Sequence, residues 1–185
     1  MKKSICLFFV FALFMPSLQA HELVNKQASY GVGAVGGSLL GRGLSLRKYM
    51  GKNYIQATGI YTNYSQFSTN SYANGAITFG RYLHKEHIFA VQIPVGIVAF
   101  AGVNGIYDKN EVTRPTKVEE IPITEIETKK QFITGAGLGL EFFNPGTQGI
   151  SAWISFSYAT RFDFDDKLAL NSYQLYGASG FNYSW

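Results

Sequence analysis

Few residues in this chain could carry chemistry. Histidine occurs three times, at His21, His84 and His87. The run His84-Lys85-Glu86-His87 has a spacing that metal ligands use, and His21 would chelate through its ring and a free amino terminus if a mature chain began there. No acidic cluster nearby completes a metal set, so these histidines read as solvated turn residues. Asp163, Asp165 and Asp166 put three carboxylates in one segment, but without the spacing of a cation-binding loop. The single cysteine, Cys6, lies inside an apolar run, where it can be neither half of a disulfide nor a lipid attachment point. No cofactor, metal or catalytic residue is expected from this inventory.

The elements that would have to position a site are more informative. Met1-Lys2-Lys3 is a short basic segment, and Ile5 to Met15 is apolar but too short to span a bilayer comfortably. Pro16 to Ala20 then offers a small residue before His21-Glu22, as a secretory cleavage site does. The expected organisation is a signal peptide over residues 1–20 and one domain over 21–185. Without Lys2 and Lys3 the net charge of +4 falls to +2, which argues against a nucleic-acid partner. Fifteen Phe, twelve Tyr and twenty Gly mark a β protein. Beyond the first segment no run of eighteen apolar residues exists, so any membrane crossing falls to strands.

Period-two patterning, punctuated by Gly, Asn, Asp and Pro, predicts eight strands near 28–37, 43–50, 54–64, 72–83, 88–104, 131–143, 149–162 and 169–185. In the seventh, Ile150, Ala152, Ile154, Phe156, Tyr158, Thr160 and Phe162 share one face, while Ser151, Trp153, Ser155, Ser157, Ala159 and Arg161 share the other. The last strand sets Tyr173, Leu175, Phe181, Tyr183 and Trp185 against Ser172, Gln174, Ala178, Gly180, Asn182 and Ser184. The sixth sets Phe132, Ala136, Leu138, Leu140 and Phe142 against Gln131, Gly135, Gly137, Gly139 and Glu141.

Alternation alone also suits a soluble exported lipocalin-like lipid binder, with the apolar face inside. Charge placement favours the apolar face outside. Within the predicted strands the charges are Arg47, Lys48, Arg81, Glu141 and Arg161, whereas a water-facing sheet is rich in Lys and Glu. Loop lengths agree, since a transmembrane barrel has short turns on the periplasmic side and longer loops outside. Gly51-Lys52-Asn53, the region from His84 to His87, and Asn144 to Thr147 fall on the short side. The segment 107–130, Ser65 to Ser71 and Asp163 to Lys167 fall outside. The brief connection from Ser38 to Arg42 breaks that rule.

The chain closes on Gly180-Phe181-Asn182-Tyr183-Ser184-Trp185, which resembles the C-terminal signal of bacterial outer-membrane barrels. The whole pattern is similar to small barrels of the OmpA/OmpX type. The resemblance implies an all-β fold, a single antiparallel up-and-down transmembrane barrel of about eight strands in the outer membrane of a Gram-negative envelope. It also implies that Gly180, Tyr183 and Trp185 engage the barrel-assembly machinery, and that lipid and lipopolysaccharide surround a monomer.

An eight-stranded interior is just wide enough for side chains to fill, which disfavours an open porin-like pore. The inward positions expected are Arg47, Tyr49, Gln56, Thr58, Asn74, Thr78, Gln92, Glu141, Trp153, Ser155, Ser157, Gln174 and Asn182. Arg47 and Glu141 are expected to form a structural ion pair there, because either charge left alone would cost several kcal/mol. Some barrels of this kind modify lipopolysaccharide with His, Ser and an acidic partner, but His84 and His87 fall on the side away from that substrate. The reading is a non-enzymatic envelope barrel, with a surface ligand conceivable on 107–130, where Glu119, Glu120, Glu125 and Glu127 intersperse with Ile121, Ile123 and Ile126. A lipid-modifying enzyme, a narrow channel and a soluble lipid binder are the alternatives.

Overall fold

The structure, a computed structural model, describes residues 30–65, 69–88, 93–114, 123–143, 149–164 and 169–185. The signal segment, His21, Gln92, Asp165, Asp166 and the turn at Asn144 to Thr147 lie outside them. Eight strands follow one another: β1 (Tyr30–Gly37), β2 (Arg42–Met50), β3 (Asn53–Ser65), β4 (Thr69–Ile88), β5 (Ile93–Arg114), β6 (Ile123–Phe143), β7 (Ile150–Asp163) and β8 (Ala169–Ser184). Each pairs antiparallel with its sequence neighbour, and β1 pairs β8, so the sheet closes. Backbone bonds between Tyr30 and Trp185 seal that last seam. The up-and-down barrel expected from the alternation is the fold observed.

The period-two pattern works as a sorting of faces. Along β7, Ile150 to Tyr158 alternates strictly with exposed even positions and buried odd ones. Outward residues include Leu46, Ile77, Leu138, Ile154, Phe156 and Phe181, all well exposed, while Ser45, Arg47, Gln56, Thr78, Glu141, Ser155 and Asn182 are buried. A protein that turns its polar side chains inward and its Leu, Ile and Phe outward is inverted relative to a water-soluble one. Tyr30, Tyr183 and Trp185 ring the end that holds the chain termini; Tyr61, Tyr107, Phe132, Phe162 and Tyr173 ring the band toward the far end.

Two expectations about boundaries are corrected. His84 to His87 form no turn. Their backbone continues β4 past a register shift after Tyr82 and pairs with Pro94 to Ile97, and the connection is 89–92. The segment 107–130 is mostly strand, since β5 runs on to Arg114 and β6 begins at Ile123, with Asp108↔Lys129 and Glu111↔Ile126 in register. Consequently more charges lie on strands than the five expected, among them Asp108, Lys109, Glu111, Glu125, Glu127, Lys129 and Lys130 on this far-end extension. Oppositely charged residues two apart on a strand share a face, and Lys109 meets Glu111 at 2.6 Å. That hydrogen bond and charge hold the Lys109 ammonium above the ordinary lysine range.

The first hairpin is short for a structural reason. β1 stops at Gly37 and β2 starts at Arg42, far below the tops of their neighbours β8 and β3. Instead of rising, the connection Ser38 to Gly41 folds into the barrel, where Leu39 and Leu40 are 1% and 4% exposed. Gly41 and Gly43 take positive φ at this bend, 81° and 115°, a region that L side chains rarely adopt.

Candidate functional site in the barrel interior

The interior is built in two layers. Toward the terminal end, Arg47 on β2 and Glu141 on β6 face each other across the lumen, with Arg47 Nη1 donating to both carboxylate oxygens at 3.0 Å. Glu141 also accepts from Tyr82 Oη at 2.5 Å and from Ser151 Oγ at 2.6 Å. Arg47 also donates to Gln56 Oε1, at 3.0 Å from Nε and 2.8 Å from Nη2, and from Nη1 to Tyr49 Oη and Tyr82 Oη at 3.4 Å, and lies over the Tyr54 ring at 4.2 Å. Asn182 Nδ2 donates to Tyr49 Oη at 2.8 Å. The structure therefore brings the two expected partners together, and both are almost fully buried.

Sequence reasoning missed Tyr82, and it placed Ser151 on the face of Trp153 without naming it among the inward positions. Tyr82 shares strand parity with Asn74 and Thr78, and Ser151 with Trp153, so the inward pattern could have found both. Of the other inward positions expected, Thr58, Asn74, Thr78, Trp153, Ser155 and Ser157 are buried; Gln174 is exposed.

The second layer, above the ion pair, is apolar. Leu39 and Leu40 pack with Val35, Phe100, Ile133, Trp153 and Ala159. The loop that carries them is pinned by side chains from across the lumen: Asn104 Nδ2 donates to the Ser38 carbonyl, Asn74 Nδ2 to Asn104 Oδ1 at 3.0 Å, and the Arg42 amide to Asn74 Oδ1 at 2.8 Å. A leucine pair in a turn carries no sequence signal for this, because its burial depends on how far the neighbouring strands rise.

Large rings fit so narrow a lumen only where the adjacent strand offers no side chain. Trp153 is paired with Gly180, and a Cβ on Gly180 would strike the indole; Tyr54 stands in the same relation to Gly80. Gly180, expected as part of an assembly signal, thus has a packing role. Tyr183 and Trp185 do face outward at the terminal rim, stacked at 6.0 Å.

Between the layers remains a cavity of about 20 Å³ lined by Leu40, Arg47, Gln56, Glu141, Trp153 and Ser155. It holds about one water. Ser155 Oγ beside it has no hydrogen-bond partner among the described residues. The Glu141 carboxylate thus accepts from an arginine, a tyrosine and a serine of the barrel itself. Chemically the arrangement is a lock: it fixes β2, β4, β6 and β7 to one another across the barrel.

No family model matches the chain, and no curated protein matches it. Among solved structures, the N-terminal β-barrel domain of Pseudomonas aeruginosa OprF is similar over 86% of this chain and 98% of that one, with a TM-score of 0.48 and 12% identity. Neisserial surface protein A, NspA, is similar over 84% of this chain and 94% of that one, with a TM-score of 0.31 and 7% identity.

Proposed function

We propose that this chain is an integral outer-membrane barrel, closed to flow, that serves the cell envelope as a structural element and presents a far-end surface to a partner outside. The observation that carries the reading is the inverted surface. Leu44, Leu46, Ile77, Leu138, Ile154, Phe156, Leu175 and Phe181 are each 46–72% exposed and form a continuous outward band bounded by aromatic residues. In water such a band would drive aggregation, whereas in lipid it is the stable arrangement. A soluble barrel would need these residues inside. On this reading the termini face the periplasm, and the β5–β6 extension stands above the outer leaflet, where its charges are solvated and could meet a ligand.

Fractionation of producing cells tests the assignment. The unboiled protein should remain in the outer-membrane fraction and migrate differently in gels before and after boiling; recovery with the soluble periplasm overturns the reading. In the same experiment, Tyr183→Ala with Trp185→Ala should lower the heat-modifiable outer-membrane pool severalfold while export continues. Wild-type levels would show that these rings are not read by the assembly machinery.

Closure is supported by the two filled layers, Arg47–Glu141 below and Leu39–Leu40 above. Purified protein in planar bilayers is expected to give no steady conductance. A current comparable to that of a general porin would mean that the loop of Leu39 and Leu40 leaves the lumen.

A further inference from the structure

The short first hairpin leaves a notch in the barrel wall. Pairing of β2 with β3 ends at Leu44↔Gly59, and pairing of β1 with β8 ends at Gly37↔Ala178. Beyond those points β3 continues to Ser65 and β8 to Ala169 with no strand between them among the described residues. Arg42, on the outward face, forms the sill. It stands eight residues from Met50, so at 3.4 Å per residue and a tilt near 40° it lies roughly 20 Å above the terminal rim. Phe162 and Tyr173, twelve and eleven residues from the terminal-side ends of their strands, lie roughly 30 Å up. The sill is therefore inside the apolar band, at the depth of the outer leaflet.

Three features mark this place as built for an occupant. Arg42 is an outward charge well above the terminal ring, where the other outward cation of β2, Lys48, lies over the Tyr30 ring at 5.9 Å, and no acidic side chain pairs with Arg42 among the described residues. A cation at that depth is costly unless an anion or water reaches it. The surface beside it is bare, since a Cβ on Gly36 or Gly177 would meet nothing within 4 Å. The three most exposed large apolar residues among those described, Leu44 at 72%, Leu175 at 71% and Tyr61 at 67%, border the same notch.

We propose that the notch is a lateral binding site for one anionic amphiphile of the outer leaflet, its phosphate or carboxylate head on Arg42 and its chain in the shallow groove over Gly36 and Gly177, between Leu44 and Leu175. Charge complementarity selects an anionic head, and the greasy borders select a membrane-resident ligand over a free anion. The proposal rests on the membrane-spanning reading. Each protein sample must first show heat-modifiable mobility, so that failure of the fold is distinguishable from failure of the site.

The test uses the full chain carrying Leu46→Trp, one outward position below the groove, and Trp185→Phe, refolded into zwitterionic vesicles with one tenth brominated phosphatidic acid. Trp153, buried in the lumen, supplies a constant background. The new indole should be quenched as though the anionic lipid were enriched at least threefold over its bulk fraction. Brominated phosphatidylcholine at the same fraction should show no enrichment, and excess inorganic phosphate should not displace the lipid. Adding Arg42→Gln should return quenching to the random level, and Arg42→Lys should keep part of it. Equal quenching by both lipids, or no change with Arg42→Gln, overturns the proposal. Displacement by inorganic phosphate would assign the notch to a free anion. Disulfide cross-linking of a Tyr61→Cys protein into dimers in vesicles would assign it to a second copy of the chain. Either result also overturns it.

Discussion

Replacing Glu141 with Ala is expected to lower the unfolding free energy of the refolded barrel by about 3–5 kcal/mol. The carboxylate neutralises Arg47 at 3.0 Å and accepts from Tyr82 and Ser151, so its loss strands a buried guanidinium and two hydroxyls at once. Gln56 can still accept from Arg47, but it carries no charge. Removing both partners, as Arg47→Met with Glu141→Leu, should cost far less than Glu141→Ala alone. Paired apolar side chains leave no uncompensated charge, and replacing a buried ion pair with them is often neutral. The measurement is urea unfolding in lipid vesicles, followed by gel mobility. If the single and double variants are equally destabilised, the pair is not a lock, and the cost lies in packing volume.

Ile154→Arg is expected to cost roughly 2–4 kcal/mol by placing a charge against lipid near the middle of the band. Ile154 is 46% exposed on the outward face of β7, and its neighbour Ser155 is 4% exposed on the inward face. Ser155→Asp should be the milder change, because position 155 borders a cavity of water size shared with Arg47 and Gln56. The two substitutions sit at adjacent positions of opposite parity, so the comparison tests which face meets lipid. An Asp at 155 as damaging as an Arg at 154 would mean that alternation along β7 does not separate lipid from lumen.

The strands and their two faces were legible in the sequence because alternation is local. Each residue's chemistry reports the environment of its own face, and the exchange of mostly apolar with mostly small or polar types from Ile150 to Phe162 needs no knowledge of any other strand. The same parity placed Arg47 and Glu141 in one interior. Two charges in a narrow lumen, near the same end, have few partners but each other. Where the pattern turns charged, that logic stops. Asp108 to Glu111 and Glu125 to Lys130 read as loop, since a strand that is polar on both faces has no apolar signature, yet pairing between β5 and β6 carries both on. His84 to His87 likewise read as a turn, and only pairing with β5 shows them extended.

The rest was decided by tertiary structure. Nothing local to Ser38-Leu39-Leu40-Gly41 distinguishes a surface turn from a plug. What decides is that β3 and β8 rise past a hairpin too short to follow them, while Phe100, Ile133 and Trp153 leave an apolar space that two leucines fill. The notch above that hairpin, with Arg42 on its sill, likewise exists only as a difference in strand lengths between neighbours that sequence distance keeps apart. Local chemistry determines which way a side chain faces; the register of eight strands closed on themselves determines what it meets there.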